Sequence, residues 1–358
     1  MPSLKEIKGR INSISSTLAI TSAMKMVAAA KLQKAQMAIQ NMLPYERRLY
    51  SMLLDLMGAM NISAAASEDG SVRGSGSAER GFDQSGDRLS LSNRHDLAGM
   101  DGAYSLMAQR EVRKVAIVAF ASNSSLCGAF NSNAIREATA VINEYRASGL
   151  GDADITVYSV GRKMAEAMKK LGFPSPADFT KMSDSPSYDA ASALAQELFD
   201  GFVSGRFDKV ELVYNHYKST SSQPTTRQTY LPLSLADATA DIQVGKITVS
   251  ASESDTNRGA EPVGAPVVRQ GSPTTEDLIV EPSKEELIAT LLPKVVRLRV
   301  FTTLLDSTAA EHAARTVAMQ LATDNGNDLL QELTLEYNKG RQQKITSEIL
   351  DIVGGSMQ

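Results

Sequence analysis

Two long segments of helical periodicity, one at each end of the chain, most constrain the fold. In the first 57 residues apolar side chains recur at alternating steps of three and four, beginning with Leu4, Ile7, Ile11, Ile14 and Leu18. That spacing is typical of a helix seam that packs against a second long helix. At about 1.5 Å per residue the segment is a rod of roughly 80 Å, which one small domain cannot bury. The chain therefore needs a partner of similar length.

The apolar series of this first segment predicts a change of phase after Lys25. The next series runs through Ala28, Leu32, Ala35, Ile39 and Met42. Small residues in SAMKMVAAAK permit the close approach of a partner helix.

The partner is predicted at the other end of the chain, from Ser283 to about residue 352. Ser283 is a suitable N-cap, and the acidic residues that follow it favour a helix start. Pro293 is expected to kink or loosen the first turns, and the pair Gly354 and Gly355 to end the helix. Two such helices can pair antiparallel if a compact domain joins their ends, which predicts a stalk with a head.

The middle of the chain alternates strand and helix patterns. Strands are predicted at 114–122, 155–160 and 210–217, helices at 131–145, 162–171 and 189–203, and an edge strand at 229–233. Pro232 favours an edge position because proline cannot donate to a central ladder. The alternation predicts a largely parallel sheet flanked by helices. The predicted fold class is α/β: an antiparallel coiled coil of terminal helices plus a Rossmann-like head.

Two further segments, 61–105 and 250–276, are rich in glycine, serine and charged residues and have no core pattern. We expect both to be surface excursions. The predicted division of the chain is an N-terminal helix at 1–58, an insertion at 59–110, a head at 111–235, a mobile connection at 236–281 and a C-terminal helix at 282–358.

The sequence shows no motif for nucleotide binding, nucleophilic catalysis or metal binding. The only Gly-Lys pair, at 245–246, is followed by Ile247 rather than Ser or Thr, so it is not a P-loop. The turn SNSSLCGAFN (122–131) has one glycine, which predicts a head without a nucleotide-binding loop. Cys127 lies in that turn, where a structural thiol is favoured over a nucleophile. Three dispersed histidines argue against a metal site, so we expect no catalytic residues, cofactor or metal.

Composition and charge narrow the class of protein. Lys and Arg number 37 against 41 Asp and Glu, which argues against binding nucleic acid through bulk positive charge. No apolar run reaches the roughly 18–20 residues that span a bilayer, so no direct membrane insertion is expected. A lone cysteine and the start MPSLKEIKGR predict a soluble protein of a reducing compartment without a leader.

The first helix carries an excess of basic residues. They are Lys5, Lys8, Arg10, Lys25, Lys31 and Lys34. Either they form a solvated helix face or they face an acidic partner surface, where such charges steer and tune contact.

Both ends of the chain resemble one known family. The stretch LKEIKGRINSISSTLAITSAMKMVAAAKLQKAQ resembles the opening helix of the gamma subunit of F-type ATP synthases. The stretch ATDNGNDLLQELTLEYNKGRQQKITSEILDIVGG (322–355) resembles the closing helix, and SLCGAFN (125–131) the segment after the first head strand. The resemblance covers most of the chain outside the two excursions.

The resemblance implies a non-catalytic rotor subunit, bacterial in type. Members of the family couple rotation of a membrane ring of c subunits, driven by H⁺ or Na⁺, to conformational cycling of catalytic beta subunits. Implied partners are the ring of three alpha and three beta subunits, the epsilon subunit and the c ring. The implied location is peripheral, on the cytoplasmic face of the bacterial inner membrane.

The resemblance also implies residues that touch the beta subunits. Met24 and Lys25 fall in the AMKM turn of the first helix, and Arg315 in EHAARTVAM. The other residues of this set, in RQQKITSE, are Gln342, Thr346 and Glu348.

Two other classes of function stay open on the residues alone. One is a coiled-coil adaptor with an α/β head that binds partners without rotating. The other is a small-molecule enzyme using the head, for which the sequence offers no constellation of polar groups.

Overall fold

The computed structural model describes residues 3–68, 106, 110–233, 281 and 283–356. Most of the segments predicted as an insertion (59–110) and a mobile connection (236–281) therefore lies outside the described residues. The helices and strands are, in chain order, α1 (Leu4–Glu68), β1 (Val115–Phe120), α2 (Phe130–Ala147), β2 (Ile155–Val160), α3 (Arg162–Lys170), α4 (Thr180–Asp184), α5 (Tyr188–Val203), β3 (Lys209–Asn215), β4 (Thr225–Leu231) and α6 (Lys284–Ser356).

The middle of the chain forms a four-stranded mixed sheet in the order β2–β1–β3–β4. Strand β1 is parallel to both neighbours, with Val115 opposite Ile155 on one side and Lys209 on the other. Strand β4 is antiparallel to β3 and lies at the edge, as predicted. It ends at Leu231, immediately before Pro232, which therefore interrupts no ladder. The predicted strands and longer helices are confirmed; α4 and the antiparallel sense of β4 were not predicted.

Each face of the sheet carries its own core. On one face β1 and β3 pack against α5, against the first turns of α6 and against Leu49, Leu53 and Leu56 of α1. On the other face the strands pack against α2 and α3. Because both faces are covered, β1 reads in sequence as an unbroken apolar run, VAIVAF, and all its residues are buried.

Helices α1 and α6 pack against each other in antiparallel orientation over most of their length. Contacts link residues in steadily opposing register: Leu4 with Gly340, Leu18 with Gly326, Thr21 with Thr323, and Glu46 with Arg299. The terminal helices therefore form the long pair that the sequence predicts, with the sheet beside it.

The seam of α1 is more regular than the sequence predicts. Between Leu4 and Leu18 the residues withdrawn from solvent are the five of the predicted series. The same alternation then continues through Thr21 and Lys25, both half-buried, to Ala28, which is 1% exposed. The predicted change of phase after Lys25 is therefore wrong: two polar residues keep the register where apolar ones are missing.

The helix ends also differ in part from expectation. The Ser283 hydroxyl accepts a hydrogen bond from the Glu286 amide at 3.2 Å, which confirms the predicted cap. Pro293 lies inside a continuous α6, near the helix start. The glycine pair does not end α6, which continues to Ser356, because glycine lowers helix propensity by only about 1 kcal/mol and does not forbid the helix. Helix α1 runs on to Glu68, beyond the predicted residue 58.

Candidate partner-contact surface

The last turns of α6 extend past the start of α1. Leu4, the first residue of α1, lies beside Gly340. Beyond that point residues 341–350, together with Ile352 and Val353, are all exposed. We call residues 341–356 of α6 the overhang.

The overhang presents large apolar side chains to solvent. They are Ile345, Ile349, Leu350, Ile352 and Val353, exposed by between 47% and 71%. Ile345, Ile349 and Ile352 are spaced four and three apart, so they share one side of the helix. Contiguous apolar surface of this kind marks an interaction site, because water does not solvate it favourably.

Three of the predicted contact residues lie on the overhang. Gln342, Thr346 and Glu348 are all exposed. The Thr346 hydroxyl donates to the Gln342 carbonyl oxygen at 2.9 Å, and Glu348 lies 3.7 Å from Lys344. An exposed pair of this kind contributes little to stability, so these side chains can exchange their contacts for those of a partner.

Met24 and Lys25 lie on the helix pair rather than beyond it. Both are half-buried. Lys25 occupies a seam position of α1, between Thr21 and Ala28, so its aliphatic stem helps to cover the seam. The other predicted basic residues of this helix, Lys5, Lys8, Arg10, Lys31 and Lys34, are exposed.

Arg315 lies far from the other predicted contact residues of α6 and is only 8% exposed. Its guanidinium donates to the Ser125 carbonyl oxygen at 2.6 Å and to the Ser124 hydroxyl at 2.9 Å. It also donates to Glu311, one helical turn earlier, at 2.6 Å. Arg315 therefore fixes the turn after β1 to the helix pair.

Burial shifts the titration of two neighbours of Arg315. Burial raises the pKa of Glu311, and the hydrogen bond from Arg315 offsets only part of that effect. Burial, with the positive charges of Lys31 and Arg315, lowers the pKa of His312 to about 4. His312 is half-buried, and its Nδ1 makes no hydrogen bond within the described part of the chain.

A second charged cluster lies inside the head. The Glu211 carboxylate is 1% exposed and accepts hydrogen bonds from Arg227 at 2.6 Å and from Tyr145 at 2.5 Å, with Lys209 at 2.7 Å. Burial alone would raise the pKa of Glu211, but these donors outweigh it and hold the pKa below its usual range. The cluster ties β3 and β4 to α2.

Metal-ligating and nucleophilic side chains are dispersed over the described residues. Among them, no group of three or more His, Cys, Asp or Glu side chains could hold a metal ion. Cys127 is buried, with the Asn131 amide donating to its Sγ at 3.2 Å. None of the helices, within the part of the chain that is described, has the length and apolar character to cross a membrane.

Comparison with known proteins identifies the class. The model of a family described as ATP synthase matches residues 3–357. The chain is 47% identical to the ATP synthase gamma chain of Phocaeicola vulgatus over 357 residues, covering 100% of both chains. It is 46% identical to that of Bacteroides thetaiotaomicron over 358 residues, again covering 100% of both. The chain thus belongs to the ATP synthase family, and within it to the gamma chains.

A solved structure agrees at the level of the fold. A chain of the mitochondrial ATP synthase of Euglena gracilis superposes with a TM-score of 0.54 at 19% identity, over 99% of this chain and 93% of that one. The likeness supports the arrangement of long terminal helices and a central sheet.

Proposed function

We propose that this chain is the central rotor shaft of an F-type ATP synthase. In this proposal it transmits the rotation of a membrane c ring to the catalytic beta subunits and so drives ATP synthesis, or the reverse. The observation that carries the proposal is the overhang: one helix end, exposed on every described face and rich in apolar residues, needs a surrounding protein surface. Because the chain belongs to the gamma chains, the natural partner is the ring of alpha and beta subunits. That ring is proposed to supply the surface.

The pair of α1 and α6 is the proposed shaft, a coiled coil in which three-four seam spacing keeps both helices in register. The Rossmann-like head beside it carries the proposed connection to the epsilon subunit and the c ring. The proposed domains are the N-terminal helix (1–58), the insertion (59–110), the head (111–235), the connection (236–281) and the C-terminal helix (282–358). Helix α1 itself continues past residue 58, to Glu68. The location follows: peripheral, on the cytoplasmic face of a bacterial inner membrane.

Six residues are proposed to contact the beta subunits. Gln342, Thr346 and Glu348 are suited to direct contact because the overhang exposes them. Met24 and Lys25 are half-buried and can touch a partner only at the edge of the seam. Arg315 is buried, so we propose that a beta subunit meets the surface it organises together with Ser124 and Ser125.

The proposed mechanism needs no catalytic residue, cofactor or metal in this chain. An asymmetric shaft presents different surfaces to three identical beta subunits and therefore stabilises a different conformation in each. Polar side chains such as Gln342 and Thr346 suit this role, because their hydrogen bonds can be broken and remade as the shaft turns.

Native mass spectrometry of the chain reconstituted with alpha and beta subunits, with ATP hydrolysis assayed on the same sample, tests the proposal. We expect one copy of the chain per ring of three alpha and three beta subunits, and hydrolysis that depends on its presence. Three copies per ring, or unchanged hydrolysis in its absence, would instead indicate the non-rotating adaptor, since adaptors usually follow the symmetry of their partners.

A further inference from the structure

One stretch of α6 is enclosed by the rest of the chain. Every residue from 303 to 315 is buried or half-buried, unlike the overhang. On one side Ala309 and Ala313 pack against Leu32 and Ala35 of α1. On another side Ala310 packs against Cys127 and Phe130 of the head. At this level α6 therefore lies between α1 and the head.

Nearer its start, α6 is already bonded to the head: the Tyr230 hydroxyl donates to the Val296 carbonyl oxygen at 2.9 Å, and Arg297 donates to Gln196 at 2.6 Å. Asp306 makes the first of two further polar attachments, both at the carboxyl-terminal edge of the sheet. Its carboxylate accepts a hydrogen bond from the Tyr217 amide at 2.9 Å and lies 2.6 Å from Nδ1 of His216. Both residues follow the end of β3. Tyr217 also reaches the other helix of the pair, because its hydroxyl accepts a hydrogen bond from Gln36 of α1 at 2.6 Å.

Arg315 makes the second attachment, to Ser124 and Ser125 in the turn that follows β1. Strands β1 and β3 are parallel neighbours, so both attachments come from the carboxyl-terminal edge of the sheet. They reach α6 at residues nine positions apart, Asp306 and Arg315. At 3.6 residues per turn this is about two and a half turns, which places the two side chains on opposite sides of α6 and roughly 13 Å apart along its axis.

We infer that Asp306 and Tyr217 are positioning residues that, with the Arg315 attachment, lock the head to the helix pair against twisting. The shared core and the hydrogen bonds of Val296 and Arg297 hold the head along the start of α6. The two attachments farther along lie on opposite sides of α6 and therefore oppose twisting of the head about the helix at that level. We call this set of contacts the head joint. The inference rests on the proposed function, in which torque must pass between the helix pair and the head.

The measurement is the torsional stiffness of the joint in the assembled ring. The ring of alpha and beta subunits is fixed to a surface, and a bead is attached to the head through Lys170→Cys. Lys170 is exposed at the end of α3, whereas the natural Cys127 is 1% exposed and does not compete for the label. The spread of bead angles while the ring waits for ATP reports the stiffness between ring and head.

Asp306→Ala removes the acceptor of Tyr217 and the partner of His216. We expect the angular spread to widen about 1.5- to 2-fold, because charge-assisted hydrogen bonds at one of the two attachments are lost. ATP hydrolysis is expected to stay within about twofold of the parent, since Asp306 is not among the proposed ring contacts. Asp306→Asn keeps an acceptor for the Tyr217 amide, so it should recover much of the stiffness.

Asp152→Ala is the matched control. Asp152 also pairs with a cationic side chain at 2.6 Å, Arg146, but wholly within the head. Breaking this pair should leave the angular spread unchanged. The control therefore distinguishes a loosened head joint from a general loosening of the head. Tyr217→Phe is the milder variant: it keeps the ring packing, removes only the hydroxyl that accepts from Gln36, and should widen the spread by a smaller amount.

The outcomes separate the joint from the proposed function. If the parent bead does not rotate with ATP, the rotor proposal fails. If the parent rotates and Asp306→Ala assembles with an unchanged spread, the joint is overturned and the rotor stands. If Asp306→Ala does not assemble, Tyr217→Phe decides: a widened spread supports the joint, and an unchanged spread overturns it.

Discussion

Leu18 of α1 and Gly326 of α6 approach so closely that a methyl group on Gly326 would lie 2.6 Å from Cδ2 of Leu18. A glycine in the middle of a long helix is unfavourable on propensity alone. Here it admits the side chain of the opposing helix, and it does so at one of the positions that fix the antiparallel register.

Gly326→Ala is therefore expected to destabilise the chain, while Gly9→Ala should stabilise it. A methyl on Gly9 meets nothing within 4 Å, so only the propensity gain of about 0.5–1 kcal/mol applies. At Gly326 a methyl group would lie 2.6 Å from Cδ2 and 3.1 Å from Cγ of Leu18, so the whole Leu18 side chain must shift. We expect that overpacking, at the lower end of about 1–3 kcal/mol because Leu18 is half-buried, to outweigh the gain. Urea unfolding of the full-length chain, followed by circular dichroism, measures both. Equal stabilisation by the two substitutions would contradict the close approach, and Leu18→Ala should relieve Gly326→Ala.

The seam of α1 shows what sequence can predict and where it stops. Leu4 to Leu18 are apolar at steps of three and four, so the helix and its buried side follow from pattern alone. The pattern fails at Thr21 and Lys25 because a hydroxyl and a charged side chain do not read as buried. The structure places Thr21 within 3.2 Å of the Thr323 hydroxyl, a partner about 300 residues away that no local spacing signals.

The candidate site divides in the same way. Gln342, Thr346 and Glu348 could be proposed from the sequence because they lie in a long C-terminal motif that resembles a known family. The structure shows that all three are exposed on the overhang. The attachments of Arg315 to Ser124 and Ser125, and of Asp306 to Tyr217, could not be predicted. They join separate segments through hydrogen bonds, and each side chain taken alone reads as an ordinary helix or turn residue.

The buried Glu211 cluster predicts an acid-sensitive contribution to stability. Because the folded-state pKa of Glu211 lies below its usual value, its contribution is present above about pH 4.5 and is lost as pH falls through the folded pKa. Glu211→Gln should cost about 3 kcal/mol at pH 7, since it leaves Arg227 and Lys209 facing a neutral group. In urea unfolding, the difference from the parent should shrink as the pH falls below about 4.5.

Glu166→Gln is the control for that prediction. Glu166 pairs with Lys163 at 3.3 Å on the exposed face of α3. An exposed pair contributes between about 0 and 1 kcal/mol, so this variant should unfold almost as the parent does at every pH. A similar loss in both variants would show that the burial of Glu211 is not what matters.

His312 predicts a second loss of stability on acidification, at higher pH than that of Glu211. Its pKa is about 4 in the fold against an ordinary value of 6.5, so the unfolded chain takes up a proton first as the pH falls. Stability is therefore lost as the pH falls from about 6.5 to about 4. Because solvent screens a half-buried imidazole, the loss is smaller than the roughly 3 kcal/mol that a fully buried one would give. NMR titration of labelled histidines, assigned with His312→Gln, should show one imidazole that stays neutral at pH 5.5. Lys31→Met should raise that pKa, because it removes a nearby positive charge.

Arg315→Gln and Gln342→Ala should separate a side chain that supports the fold from one that only meets a partner. Without Arg315, the buried Glu311 loses its hydrogen-bonded cation, so we expect a loss of about 3 kcal/mol at pH 8. The loss should be smaller at pH 5. Without Arg315 the folded-state pKa of Glu311, already raised in the parent, rises further, so variant and parent diverge only as the pH climbs above the parent's folded-state pKa.

Adding Glu311→Gln to Arg315→Gln should restore most of that stability, because the buried position is then neutral at every pH. Gln342→Ala should unfold as the parent does, since Gln342 is exposed on the overhang, yet lower ATP hydrolysis in the reconstituted ring. Urea unfolding at the two pH values and hydrolysis assays on the same four proteins give both readouts. Unchanged hydrolysis with Gln342→Ala would remove Gln342 from the proposed contacts, whereas an unchanged unfolding curve with Arg315→Gln would show that the turn after β1 does not depend on its guanidinium.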